Sequence, residues 1–137
     1  NPGAVCKNPV TSPDFYPTLL SAAGLAQRPG QHVDGVDMGP LLRGNPDFAR
    51  GPLFWHYPHY SNQGDTPGSA IIEDDWKLIE YFEDNRLELY NLSEDVSENH
   101  DKAGDEPAIR DRLHRQLVEW RQSIEALIPK QNPNWEP

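Results

Sequence analysis

The densest alternation of apolar and polar positions runs from Gly68 to Leu92. Trp76, Leu78 and Phe82 alternate with Lys77, Ile79 and Tyr81, while Leu87 and Leu89 alternate with Arg86, Glu88 and Tyr90. This period of two predicts a twisted antiparallel hairpin that turns at Glu83, Asp84 and Asn85, residue types that tolerate turn geometry. A second acidic turn, Glu73 to Asp75, precedes it, so a meander of at least three strands is expected. Upstream, Leu53 to Tyr57 reads as a strand that Pro58 interrupts, and Ser61 to Gly68 as a polar loop. The period changes after Pro107. Ile109, Leu113, Leu117, Trp120, Ile124 and Leu127 step by four, four, three, four and three, which predicts an amphipathic helix from Pro107 to Ile128 that Pro129 stops. Its apolar stripe suits one face of the sheet.

The first third is less regular. Val5, Val10 and Thr11 favour a short strand. Ser12 to Gly24 reads as a compact helix, capped by Ser12 or Asp14, with Pro17 in its first turn, Gly24 as its stop, and Phe15, Leu19, Leu20 and Ala23 as its apolar stripe. Residues 25 to 51 form a long connector with a turn at Asp34 and Gly35. Met38, Leu41 and Leu42 suggest a single helical turn there that Gly44 ends. Connections this long are usually functional or lie against another domain.

Composition narrows the classes. Twenty-two acidic against twelve basic residues give a formal charge of -10, which argues against nucleic acid or an anionic membrane as partner. No apolar run approaches the roughly 18 residues of a membrane helix. Cys6 is the single cysteine, so neither an internal disulfide nor a cysteine-based metal site is expected. Asn1, Pro2 and Gly3 make no recognisable beginning and no signal peptide is visible, so the chain is expected to start within a longer protein.

Five segments, in order, carry a family resemblance: PVTSPDFYPTLLSAAG, HVDGVDMGPLLRG, LFWHYPHYSNQGDTPGSAI, DWKLIEYFEDNRLELYNLSED, and a helix ending in an Asn-Pro-Asn tail. Together they resemble the C-terminal part of a bacterial formylglycine-dependent sulfatase, arylsulfatase-like and of the alkaline phosphatase superfamily. The resemblance implies a fold class of α+β: a four-stranded antiparallel sheet packed by one long C-terminal helix, preceded by a helix and connector. Residues 1–51 would be the end of the large α/β sulfatase domain and residues 52–137 the small C-terminal subdomain. It further implies a parent that hydrolyses sulfate esters with calcium and a formylglycine made in a C/S-x-P/A-x-R motif. Cys6, in AVCKNPV, lacks that motif's Arg, so no cofactor is expected in this chain and none of its residues is expected to be catalytic. The implied partners are the N-terminal catalytic domain of the same protein and a sulfated carbohydrate or other sulfate ester. The implied compartment is periplasmic or extracellular. Ile72 stands where relatives commonly have an Arg.

Candidate binding groups cluster around Pro58. Phe54 to Tyr60 holds four aromatics and two histidines in seven positions. His56, His59, Tyr60, Asn62 and Gln63 are the candidate substrate-binding residues, since imidazoles, phenols and amides at a strand end and glycine-bearing loop suit a sulfated sugar. Each has a plainer alternative: a histidine bonded within the aromatic cluster, or an ordinary solvated loop. Trp55, Tyr57 and Tyr60 suit either stacking on a sugar ring or packing. Lys77 and Arg86 would attract an anion or, more simply, pair across strands with Glu80 or Glu88. Asp14 reads as a helix cap, and Trp76, Trp120 and Trp135 as packing residues. Two rival functions are a related phosphodiesterase or phosphonate hydrolase, and a free-standing carbohydrate-binding module.

Overall fold

The computed structural model describes residues 3, 5–45, 48, 50–62, 64 and 66–130; Gln63, Trp135 and the Asn-Pro-Asn tail lie outside them. The chain divides into two compact units, residues 1–50 and residues 51–137.

In the first unit a 3-10 turn, Ser12–Asp14, runs into α1, Phe15–Ala22, and a short α2 follows at Gly39–Leu42. No strand forms among the described residues before Ser12, contrary to the β-branched composition of that segment. Val5 and Val10 are exposed, and an extended segment gains little without a ladder partner for its N–H and C=O groups. Gly24 ends α1 at φ +68 and lets the Leu25 N–H bond back to the Leu20 carbonyl, as expected for a glycine stop. The buried face of α1 differs from the expected stripe. Pro17 and Thr18 are buried, while Phe15 and Leu19 are 58% and 64% exposed. Thr18 decides the difference: its hydroxyl donates to the Asp14 carbonyl at 2.6 Å and accepts from the Met38 N–H at 2.9 Å, turning this face toward α2.

Asp14 has a wider role than capping. Its carboxylate is fully buried and accepts from the Thr11 N–H at 2.7 Å, the Val36 N–H at 2.9 Å and the Arg50 guanidinium, and it makes no side-chain cap to α1. One side chain thus ties together the start, the connector and the end of the unit.

The second unit is a four-stranded antiparallel meander in the order β1-β2-β3-β4: Leu53–Tyr57, Gly68–Glu73, Trp76–Tyr81 and Leu87–Asn91. Its acidic turns fall as the alternation predicts, with Asp74 and Asn85 left-handed at φ 52 and 57. The register places Ile71 opposite Leu78 and Leu78 opposite Leu89. These three residues are fully buried against Leu113 and Leu117 of α3, Pro107–Ser123. Each such side chain removed from water stabilises the unit by about 1.5–3 kcal/mol. At the margin, Trp120 stacks on Phe54 with centroids 4.8 Å apart. No helix among the described residues is long and apolar enough to cross a membrane.

Two expectations are corrected here. The helix ends at Ser123 rather than Ile128, leaving Ile124 and Leu127 exposed. Glu125 turns left-handed at φ 52, and the chain then brings the Leu127 carbonyl to His56 of β1. Of the hairpin cations, Arg86 has one of the expected partners and Lys77 has neither. Lys77 bonds Glu98, beyond β4, at 2.7 Å, and Arg86, just before β4, pairs with Glu88 two residues on rather than across the strands. Glu80 lies on the opposite, helix-covered face, because the period of two puts it in phase with Leu78.

Candidate functional site

One end of the second unit gathers the chemistry. β1 ends and β2 begins there, flanking the loop of residues 58–67, and the β3–β4 turn and the segment after α3 reach the same end. On the helix-covered face, register pairs His56 with Ser69 and Ser69 with Glu80, forming a polar row across three strands below the apolar core. Position 56 alternates in phase with Phe54, so the row is a direct consequence of strand geometry.

The row is completed from α3. Arg121 Nη2 lies 2.6 Å from Glu80 Oε2, and His114 Nε2 lies 3.1 Å from the same oxygen. The two α3 residues are seven apart, two turns along one face. The Arg121 guanidinium also stands 5.2 Å over the Phe82 ring. Burying a carboxylate here requires a paired charge, and Arg121 supplies it.

The candidate residues separate into two environments. His56 uses both ring nitrogens within the chain: Nδ1 is 2.8 Å from Ser69 Oγ and Nε2 is 2.9 Å from the Leu127 carbonyl. His59, Tyr60 and Asn62 are exposed on the loop. Tyr57 packs edge-to-face with His59 at 5.6 Å, and the Tyr60 hydroxyl donates to Glu83 Oε1 at 2.7 Å, linking the loop to the β3–β4 turn. That bond to a carboxylate raises the Tyr60 phenol above the ordinary tyrosine range. Trp55 and Tyr57 are exposed on the sheet face away from α3.

The other face carries its own carboxylate cluster. Tyr81 and Tyr90 both donate to Glu88 Oε2, at 3.1 and 2.9 Å, and Arg86 lies 4.1 Å over the Tyr81 ring. Burial, with nearby Asp101, pushes the Tyr90 phenol up.

Among the described residues, no group of three or more His, Cys, Asp or Glu side chains converges to hold a metal ion. Cys6 is exposed, with its thiol 3.4 Å from Asn8 Oδ1. Cys6 stands in AVCKNPV, without the Arg of a formylglycine precursor motif.

Glu80, His114 and Arg121 form one cluster that spacing along the chain does not single out. The available signal was a charged residue in phase with Leu78 and Phe82, and two polar residues adjoining Leu113 and Leu117 on the buried side of the helix.

This architecture, a four-stranded antiparallel meander under one C-terminal helix, preceded in sequence by a short helical unit, is matched among known proteins. Residues 1–123 match the family model described as N-sulphoglucosamine sulphohydrolase, C-terminal. The chain belongs to that family of sulfatase C-terminal regions. A sulfatase of Formosa agariphila is 33% identical over 123 residues, covering 78% of this chain and 22% of the relative. A protein solved in complex with its substrate D-glucosamine-2-N,6-O-disulfate shares the fold at a TM-score of 0.65 and 24% identity, covering 82% of this chain and 24% of the other. The phosphonate monoester hydrolase of Silicibacter pomeroyi shares it at a TM-score of 0.62 and 24% identity, covering 90% and 27%. The chain spans about a quarter of the length of these relatives.

Proposed function

We propose that this chain forms the C-terminal portion of a sulfuric ester hydrolase acting on sulfated carbohydrate, and that its loop of residues 58–67 meets the substrate cleft of the longer protein. The match of residues 1–123 to the sulphohydrolase C-terminal family is the observation that carries this reading. The solved neighbour bound to a disulfated glucosamine supports a sulfated sugar as the substrate class. In this reading residues 1–51 complete the large catalytic domain, residues 52–137 form the small subdomain, and calcium and formylglycine act from the remainder of the protein.

Within the loop, His59, Tyr60, Asn62 and Gln63 are the proposed substrate contacts. The exposed imidazole of His59, phenol of Tyr60 and amide of Asn62 offer donors and acceptors to sugar hydroxyls and sulfate oxygens, and loops on a rigid sheet are where such groups serve binding. His56 supports them from the strand. The chain by itself supplies no nucleophile and should release no sulfate.

A second reading, a phosphonate or phosphodiester hydrolase, rests on the shared fold with the Silicibacter pomeroyi enzyme. One assay separates the two. The longer protein is incubated with sulfated monosaccharides and with phosphonate monoesters, and anion release is followed by ion chromatography. Sulfate release, with a raised KM in His59→Ala and Asn62→Ala, is expected. Turnover of phosphonate esters with sulfate esters untouched would overturn the proposal.

A further inference from the structure

The neck of the loop at residues 58–67 is closed by a side chain as well as by the ladder. His56 and Ser69 are register partners one pair inside the last, Tyr57 with Gly68, and His56 Nδ1 reaches Ser69 Oγ at 2.8 Å directly across the neck. The other nitrogen, Nε2, is 2.9 Å from the Leu127 carbonyl, 71 residues on. A carbonyl oxygen only accepts, so Nε2 carries the hydrogen. In the neutral ring Nδ1 is then an acceptor, and the Ser69 hydroxyl donates to it.

We infer that His56 is a positioning residue: as the Nε2–H tautomer it latches the segment after α3 onto β1 and at the same time clamps the neck of the loop that bears His59, Tyr60 and Asn62. The inference deepens, and rests on, the reading of that loop as substrate-facing. Three features support it. Ser69 is 3% exposed, so its hydroxyl has little recourse to water once the imidazole is gone. The ring is held on another side by Phe82, at 5.6 Å between centroids. The helix ends at Ser123 and Glu125 turns left-handed, and the segment that follows sets the Leu127 carbonyl against the imidazole. Closing a loop of this length costs conformational entropy, and a cross-neck bond reduces the freedom that a bound sugar would otherwise have to remove.

The test uses two partial mimics. His56→Asn retains an acceptor near the Nδ1 position, and His56→Gln retains a donor near Nε2. Ser69→Ala removes the clamp and leaves the latch. In the chain, 15N NMR should show Nε2 protonated and Nδ1 bare. By hydrogen exchange, Ser69→Ala and His56→Gln should speed exchange at the loop neck about tenfold, the equivalent of one lost hydrogen bond, while His56→Asn speeds it at residues 124–128 instead. The opposite tautomer, or the same exchange pattern in all three variants, would overturn the inference. In the longer protein, His56→Gln and Ser69→Ala should raise KM for a sulfated sugar several-fold with kcat little changed. The split exchange pattern with KM unaltered would support the clamp and instead sink the substrate-facing reading of the loop.

Discussion

Arg121 Nη2 and Glu80 Oε2 lie 2.6 Å apart between α3 and β3, both side chains buried, joining the helix to the sheet by an ion pair at the edge of the apolar core of Ile71, Leu78, Leu89, Leu113 and Leu117. Ridge packing of leucines alone tolerates small slips of a helix along a sheet. A buried charge pair does not, because each slipped position leaves two desolvated charges unpaired.

Removing one partner should therefore cost more than removing both. Arg121→Ala is expected to destabilise the second unit by about 3–5 kcal/mol, whereas the double change Glu80→Leu with Arg121→Leu should be close to neutral. Urea unfolding followed by tryptophan fluorescence measures both. Equal losses in the single and double variants would show that the pair carries no special coupling.

Asp14 predicts an acid limb for the first unit. Burial raises its pKa, but hydrogen bonds from Arg50, Thr11 and Val36 outweigh this, and the carboxyl sits below its ordinary value. A depressed folded-state pKa gives stability that is present above the unfolded value of about 3.9 and lost as pH falls through the lower folded value. Asp14→Asn should be less stable near neutrality and lack this acid dependence. The check is the chemical shift of the Val36 and Thr11 amides across an acid titration; an identical acid limb in the variant would assign the effect elsewhere.

Gly68 should not accept a side chain. A Cβ there would stand 2.7 Å from the Glu80 carbonyl oxygen, a backbone atom that cannot swing aside. Gly68→Ala is expected to cost about 1–3 kcal/mol, as overpacking does, and to loosen the β2–β3 ladder. Thermal unfolding of the variant tests this directly, and an unchanged Tm would mean that the strand shifts freely.

The link between the loop and the hairpin can be read from a titration. Glu83 raises the Tyr60 phenol pKa chiefly through the hydrogen bond it accepts. Glu83→Gln should lower that pKa toward the ordinary tyrosine value, followed by ultraviolet difference absorbance or by 13C NMR of labelled tyrosine. An unmoved Tyr60 resonance would mean that the loop does not rest on the turn.

The period-two alternation around Trp76 to Leu89, the acidic turns, the strand at Leu53 to Tyr57 and the start of the helix at Pro107 were all legible along the chain. Each depends on spacing within a few residues, and backbone geometry converts that spacing into a face. Ordered motifs across five segments likewise pointed to the sulfatase C-terminal family. The tertiary structure decided what depends on distant partners. It ended α3 at Ser123 and brought the Leu127 carbonyl to His56, 71 residues away. It turned the Pro17 and Thr18 face of α1 inward, through the Thr18 bond to Met38. It took Glu80 out of the surface pairs that strand neighbours suggested and placed it under Arg121 and His114. A charge's partner is chosen by where the chain returns in space, which local pattern does not encode.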